Sequence, residues 1–73
     1  MKVFDLKMGE TGVITRIDLA GGVRERLSSL GIRVGERVEV ISFSLLKSSV
    51  LISCSAVRVG LRKSIAKKIE VGV

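Results

Sequence analysis

The stretch Gly22–Val40, GVRERLSSLGIRVGERVEV, combines in 19 residues a short helical pattern, an alternating strand pattern and, between the two, a pair of glycines. Val23, Leu27 and Leu30 recur at positions i, i+4 and i+7, which is the spacing of an apolar stripe on a helix. The arginine, glutamate and serine side chains fill the other faces. The pattern predicts a helix of about two turns whose three stripe residues belong to the core.

The glycines and the residues after them define how this helix ends and the next strand begins. Gly31 follows the stripe directly, where a left-handed C-cap favours glycine. Gly35 occupies the position of a type II turn that requires positive φ. Both glycines are therefore interpreted as backbone features, and Val38 and Val40 are predicted to face the core from a strand. The apolar residues change parity after Val40, which predicts a β-bulge.

The remaining chain alternates between short strand patterns and turns. Five short strands with a small helix between the first two favour a strongly bent barrel. An oligonucleotide/oligosaccharide-binding barrel normally has its helix after the third strand, so an SH3-like barrel fits better. The sequence predicts a mostly β protein, a small SH3-like β-barrel of about five strands with a short helix after the first long strand and a helical turn before the last, forming a single domain over 1–73. The segments are an initial strand or loop with a turn at 3–12, strands at 13–17, 37–43, 50–54 and 57–62, a loop at 44–49, a tight connection at 55–56, and a helical turn leading to a terminal strand within 63–71.

The composition excludes several classes of protein. The chain has 73 residues, no His, Trp or Tyr, and one cysteine, Cys54. No apolar run approaches the ~18 residues of a membrane span, and the first residues lack the apolar region of a signal peptide, so a cytoplasmic location is predicted. There is no P-loop motif and no nucleophile with a partner base, which predicts a protein that is not an enzyme.

The same residues argue against a bound cofactor. Ferrous iron and other transition metals favour several imidazole, thiolate or carboxylate ligands from one site. The seven acidic residues are scattered along the chain, and a lone cysteine on a strand is usually a small buried apolar residue. No metal site and no small-molecule substrate are expected.

Three runs carry a resemblance to a known family: LKMGETGVITRI, RERLSSLGIRVGERVEVI and VRVGLRKSIAKKIEV. In this order and spacing the chain resembles FeoA, a small accessory protein of bacterial ferrous iron uptake, and also the C-terminal module of repressors of the diphtheria toxin repressor type. The resemblance implies an SH3-like barrel that assists FeoB, a membrane iron transporter with a cytosolic GTP-binding domain. The hairpin SCSAV differs from the family, because it has Ala56 where FeoA-like sequences tend to have glycine.

Positive charge is the main functional signal in the residues themselves. The formal net charge is +6, with thirteen Lys and Arg, which favours an acidic surface of a protein, an anionic lipid or a nucleic acid as partner. If the two helical segments lie together, their basic residues form one patch. These residues are Arg24, Arg26, Arg62, Lys63, Lys67 and Lys68.

The loop SLLKSS, residues 44–49, adds an apolar feature to this basic chain. Leu45 and Leu46 are adjacent, so at least one of them is expected to meet solvent. They could form the apolar centre of a partner contact with Lys47 at its rim, or both could cap an open end of the barrel. The sequence alone leaves these two interpretations open.

The first functional hypothesis is an interaction module that binds the cytosolic part of a FeoB-type transporter. The alternative is a small basic nucleic-acid-binding or metal-dependent regulatory module. Nucleic acid is the weaker interpretation, because single-strand binding by small barrels uses aromatic stacking and the chain offers only Phe4 and Phe43. A homo-oligomer is also considered, since small barrels with exposed edges often associate.

Overall fold

The computed structural model describes residues 1–72 and contains one five-stranded antiparallel sheet with short helices between its strands. The strand order is β4-β3-β2-β1-β5, so the first and last strands of the chain pair with each other. This arrangement confirms a mostly β fold with a helix after the first strand and a helical turn before the last. The elements are a 3₁₀ helix at Val3–Asp5, β1 at Thr11–Ile17, α1 at Gly21–Ser29, β2 at Arg37–Phe43, β3 at Ser49–Cys54, β4 at Val57–Arg62, α2 at Lys63–Ala66 and β5 at Ile69–Gly72.

Two bulges bend the sheet. The predicted bulge in β2 is confirmed, because the register with β3 shifts between Val40 and Ser42. A second shift lies in β1, between Ile14 and Arg16 in the pairing with β5. The extra residue lets Ile14 and Ile17, three positions apart, both enter the core. Without the bulge, strict alternation along β1 would place Ile14 and Ile17 on opposite faces.

The helix α1 buries only part of its predicted stripe. Leu27 is 5% exposed, whereas Val23 and Leu30 are 40% and 36% exposed, so the assignment of these two residues to the core was wrong. The helix ends at Ser29, and Leu30 is already its C-cap. Ile32, which is 1% exposed, occupies the core position that was predicted for Leu30. The stripe is interrupted because the chain reverses before a third turn can form.

The reversal after α1 confirms the predicted role of Gly31. Gly31 has a φ of +89°, and the Ile32 N–H donates to the Leu27 carbonyl at 2.9 Å while the Gly31 N–H donates to the Ser28 carbonyl at 3.0 Å. These two bonds define a Schellman motif. A side chain at Gly31 would also collide with Ser55, whose Cβ lies 2.8 Å from the position of an added Cβ.

The predicted turn before β2 and the tight β3–β4 connection are also present. Gly35 has a φ of +95°, and the Glu36 N–H closes its turn onto the Arg33 carbonyl at 3.1 Å. Ser55 and Ala56 have φ values of 52° and 64°, the conformation of a two-residue type I′ hairpin. Positive φ at Ala56 explains why glycine is favoured there.

The core fills the concave side of the bent sheet. Val38 and Val40 are fully buried, as predicted, and Cys54 is 2% exposed. The first segment contributes Val3 from its 3₁₀ helix and Leu6 from the residue directly after it. The sequence predicted an initial strand or loop there. The helix α2 packs against β3, β4 and this 3₁₀ helix, and the 3₁₀ helix also contacts β5. The two edge strands of the sheet, β4 and β5, are therefore connected through residues 3–5 and α2.

Candidate functional site: an apolar loop within a basic half

The loop between β2 and β3 holds two leucines in solvent. Leu45 is 97% exposed and Leu46 is 87% exposed. Their exposure excludes the interpretation that both leucines cap the end of the barrel. They lie in the loop that joins the paired strands β2 and β3.

Ser44 organises this loop. Its hydroxyl oxygen accepts hydrogen bonds from the N–H groups of Ser48 and Ser49, both at 3.0 Å. Its carbonyl accepts one from the Lys47 N–H at 2.9 Å, and Lys47 has a φ of 54°. The loop satisfies these backbone donors internally, so the leucines project from an ordered turn.

Two phenylalanines and two lysines form the base of the loop. The Phe4 and Phe43 rings meet edge to face, with centroids 5.4 Å apart. The Lys47 ammonium lies 5.1 Å from the Phe43 centroid, and that of Lys63 lies 5.4 Å from the Phe4 centroid. Each lysine is within the range of a cation–π contact.

These features form one continuous surface, which we call the tip surface. A groove beside the loop is lined by Phe4, Met8, Phe43 and Lys47, and Met8 is 66% exposed. The surface thus has an apolar centre and basic side chains around it. We define the tip surface as Phe4, Met8, Phe43, Leu45, Leu46, Lys47 and Lys63.

The predicted basic residues divide between two places. Arg62 pairs with Ser49 across β3 and β4, and the Lys63 N–H donates to the Ser48 carbonyl at 2.9 Å. These two residues therefore lie beside the exposed leucines. Arg24 lies elsewhere, because its guanidinium donates to the Ile17 carbonyl at the end of β1.

The second place is where β1 ends and β5 begins. Ile17 pairs with Ile69, and the Asp18 N–H donates to the Lys68 carbonyl at 2.8 Å. The start of α1 and the residues after α2, including Lys67, therefore meet at this end of the β1–β5 ladder. The sequence predicted one basic patch if the two helical segments lay together. The structure has two neighbouring basic regions instead, and only the region of Arg62 and Lys63 borders the leucines.

The charge is also divided unevenly along the chain. Residues 40–69 contain six Lys or Arg and no Asp or Glu, while the rest of the chain contains seven of each. The whole excess of +6 therefore belongs to one segment of the chain, residues 40–69. Counting acidic residues by segment, and not only basic ones, would have found it. In the part of the chain that the structure describes, the ion pairs are Lys2–Glu70, Arg16–Asp18 and Arg16–Glu70.

The remaining groups with ligand chemistry are the acidic side chains and the single thiol, Cys54. Among residues 1–72, the His, Cys, Asp and Glu side chains form no cluster of three or more that could hold a metal ion. Burial raises the pKa of the Cys54 thiol, whose Sγ lies 3.6 Å from the Gly31 carbonyl oxygen. The site can therefore act through apolar contact and positive charge.

The comparisons with known proteins agree with this architecture. A family model described as the FeoA domain matches residues 1–73. The chain belongs to the FeoA family. This family is associated with ferrous iron transport, as the names of related solved structures also state. A search of curated proteins found no match.

Several solved FeoA structures superpose on the chain over its whole length. The FeoA protein of Chlorobium tepidum is 29% identical with a TM-score of 0.95, covering 100% of this chain and 70% of its own. Iron(II) transport protein A of Clostridium thermocellum is 30% identical with a TM-score of 0.93, covering 100% and 45%. FeoA of Stenotrophomonas maltophilia, solved with zinc and described as a prokaryotic SH3 domain protein, is 26% identical with a TM-score of 0.82, covering 99% and 89%. The predicted SH3-like fold is confirmed.

A manganese-dependent transcriptional repressor shares the fold as well. It is 23% identical with a TM-score of 0.87, and the match covers 99% of this chain and 35% of the repressor. The predicted likeness to a repressor module is thus confirmed at the level of the fold. None of the helices within residues 1–72 has the length and apolar character needed to cross a bilayer.

Proposed function

We propose that this FeoA-family chain is a non-enzymatic cytoplasmic accessory protein of ferrous iron uptake. It binds the cytosolic part of a FeoB-type membrane transporter and modulates the activity of that transporter. The family association with ferrous iron transport supports the pathway, and the tip surface supports binding as the mode of action.

The observation that carries this proposal is the segment 40–69, which contains six Lys or Arg and no Asp or Glu and presents an exposed leucine pair beside its basic side chains. An apolar centre with a charged rim is the usual anatomy of a contact surface. Two adjacent leucines at 97% and 87% exposure have no role in the core. We assign the contact with the transporter domain to the basic residues of the two helical regions, Arg24, Arg26, Arg62, Lys63 and Lys67, and place Leu45 and Leu46 on the membrane side of this contact.

Nucleic acid is less well supported as a partner. Phe4 and Phe43 contact each other, and a lysine lies over each ring. Both rings also pack partly against the core. They are therefore poorly placed to serve as stacking platforms for bases.

A titration with the soluble cytosolic domain of a FeoB-type transporter tests the proposal. We expect association at 50 mM salt that weakens at 500 mM, because exposed charges are screened at high ionic strength. The double variant Arg62→Gln, Lys63→Gln should bind more weakly. Arg37→Gln removes one exposed charge outside the assigned surface and is the matched control. Absence of association at 50 mM salt would contradict the proposal, as would equal loss in the Arg37→Gln control.

A further inference from the structure

We propose that the tip surface binds the surface of an anionic lipid bilayer, with Leu45 and Leu46 inserted among the lipids. Lys47, Arg62 and Lys63 then lie at the level of the headgroups. The inference rests on the proposed function only in placing the chain beside a membrane transporter, and it names lipid as what the leucine pair contacts.

The form of the loop suits insertion. The leucines project from a turn and do not line a cavity, so a partner must either provide a matching pocket or be deformable. A bilayer is deformable and accepts both side chains whatever their relative direction. Removing this much exposed leucine surface from water is favourable.

The backbone of the loop is also prepared for a nonpolar environment. Buried backbone groups without partners are costly in lipid. Here the N–H groups of Lys47, Ser48 and Ser49 bind Ser44, and the Ser44 N–H donates to the Ser49 carbonyl at 3.0 Å. Shallow insertion of the leucine side chains would therefore leave these flanking N–H groups paired, while the backbone N–H groups of Leu45 and Leu46 stay at the level of the headgroups.

The charges around the loop match an anionic surface. Basic residues near a bilayer with anionic lipids each strengthen binding, and long side chains can keep their apolar stems in the interface while the charge stays in water. The ammonium group of Lys47 lies 5.1 Å from the centre of the Phe43 ring, and that of Lys63 lies 5.4 Å from the centre of the Phe4 ring. The segment 40–69, which contains the loop, has no acidic residue.

One acidic side chain lines the groove beside the loop. Asp5 belongs to the 3₁₀ helix, and its carboxylate accepts a hydrogen bond from the Lys2 N–H at 2.9 Å. Lys7 also lines the groove. The charge facing a bilayer is thus net positive, because Lys7, Lys47 and Lys63 outnumber the carboxylates of Asp5 and of Glu10, which accepts a hydrogen bond from the Lys7 N–H at 2.6 Å.

Lipid is favoured over a protein partner at the leucine pair by the combination of these features. A net positive charge beside adjacent leucines that are exposed almost completely is the combination by which a segment lies in a membrane interface. Arg24 of α1 lies in another part of the molecule, since its guanidinium donates to the Ile17 carbonyl at the end of β1. The start of α1 stays available to the transporter while the loop contacts lipid.

Vesicle co-sedimentation of the full chain tests the inference without any transporter. The probes are large vesicles of phosphatidylcholine alone and of phosphatidylcholine with 30% phosphatidylglycerol. We expect the parent protein to partition into the anionic vesicles at 50 mM salt. The double variant Lys47→Gln, Lys63→Gln should bind about 25-fold more weakly, from about fivefold for each lysine near the surface.

The leucines are tested with Leu45→Ser, Leu46→Ser, which should keep the parent melting temperature and lose at least tenfold in partition coefficient. Val34→Ser, at a residue 54% exposed outside the tip surface, is the apolar control. Arg37→Gln is the charge control, and both controls should bind like the parent.

Three results would overturn the inference. The first is no sedimentation of the parent with anionic vesicles at 50 mM salt. The second is parent-like binding by the double leucine variant, which would mean adsorption through charge alone. The third is loss of binding to the lipid-free cytosolic domain in the double leucine variant, which would assign the loop to protein. The domain titration contains no lipid and the vesicle assay contains no transporter, so failure of one proposal is distinguishable from failure of the other.

Discussion

Leu27→Ala tests whether α1 is anchored by a single side chain. Leu27 is the one buried residue within the helix and is 5% exposed. The substitution removes three buried carbon groups, worth about 0.8 kcal/mol each, and leaves a cavity, so the expected loss is about 2–5 kcal/mol. A core in a domain of this size supplies about 3–5 kcal/mol. The variant should therefore be close to unfolded.

Leu30→Ala is the matched control in the same segment. Leu30 is 36% exposed and is the C-cap of α1, so the same chemical change should cost less than about 1 kcal/mol. The spacing of the helical stripe alone predicts equal effects at both positions, whereas the structure predicts a large difference between them.

Urea unfolding followed by far-ultraviolet circular dichroism measures this difference. With a dependence on urea of about 1 kcal/mol per molar, the midpoint for Leu27→Ala should fall by about 2 M or more. The midpoint for Leu30→Ala should stay within about 1 M of the parent. If Leu27→Ala is unfolded without urea, Leu27→Val should give an intermediate midpoint. Equal midpoints for Leu27→Ala and Leu30→Ala would refute the reasoning.

Two further predictions concern the turn at Gly31 and the buried thiol. Gly31→Ala should lower the melting temperature more than Gly35→Ala, because both positions have positive φ but only Gly31 faces a collision, with Ser55 at 2.8 Å; thermal denaturation giving equal shifts would contradict this. The Cys54 thiol should not react with a thiol reagent in the native protein at pH 8, and a prompt stoichiometric reaction would show that it is accessible. Burial raises the pKa of Cys54 in the folded state, so the thiol of the unfolded chain ionises first as the pH rises. The contribution of the Cys54 thiol to the free energy of unfolding should therefore be present below about pH 8.5 and be lost as the pH rises further.

Local backbone signals in the sequence predicted much of the fold. The C-cap at Gly31, the turn at Gly35 and the bulge after Val40 each follow from a residue type or a change of parity that acts over a few neighbours. These features fix where strands and helices end. Because the chain is short, fixing those ends leaves few possible arrangements of five strands.

Features that depend on distant packing were predicted less well. Val23 and Leu30 have the spacing of a core stripe, but α1 is too short to bury them, and Ile32 takes the inner position from outside the helix. The bulge in β1 depends on its pairing with β5 at the other end of the chain. Neither is visible in a local pattern.

The candidate site shows the same division. Exposure of the leucines in SLLKSS was expected for at least one of them, from their adjacency. The contact of Lys63 with Phe4 and that of Phe4 with Phe43 join segments far apart in the sequence. The two basic regions likewise could not be separated until β1 was seen beside β5.

The central claim is that this FeoA-family chain acts by binding a FeoB-type transporter, and binding to the whole transporter tests it most directly. The measurement is fluorescence anisotropy of the labelled chain against a full-length transporter in nanodiscs of neutral phosphatidylcholine, with empty nanodiscs as the blank. The account predicts saturable binding to the loaded nanodiscs at 50 mM salt, weakened in the Arg62→Gln, Lys63→Gln variant. Equal signals from loaded and empty nanodiscs would contradict it.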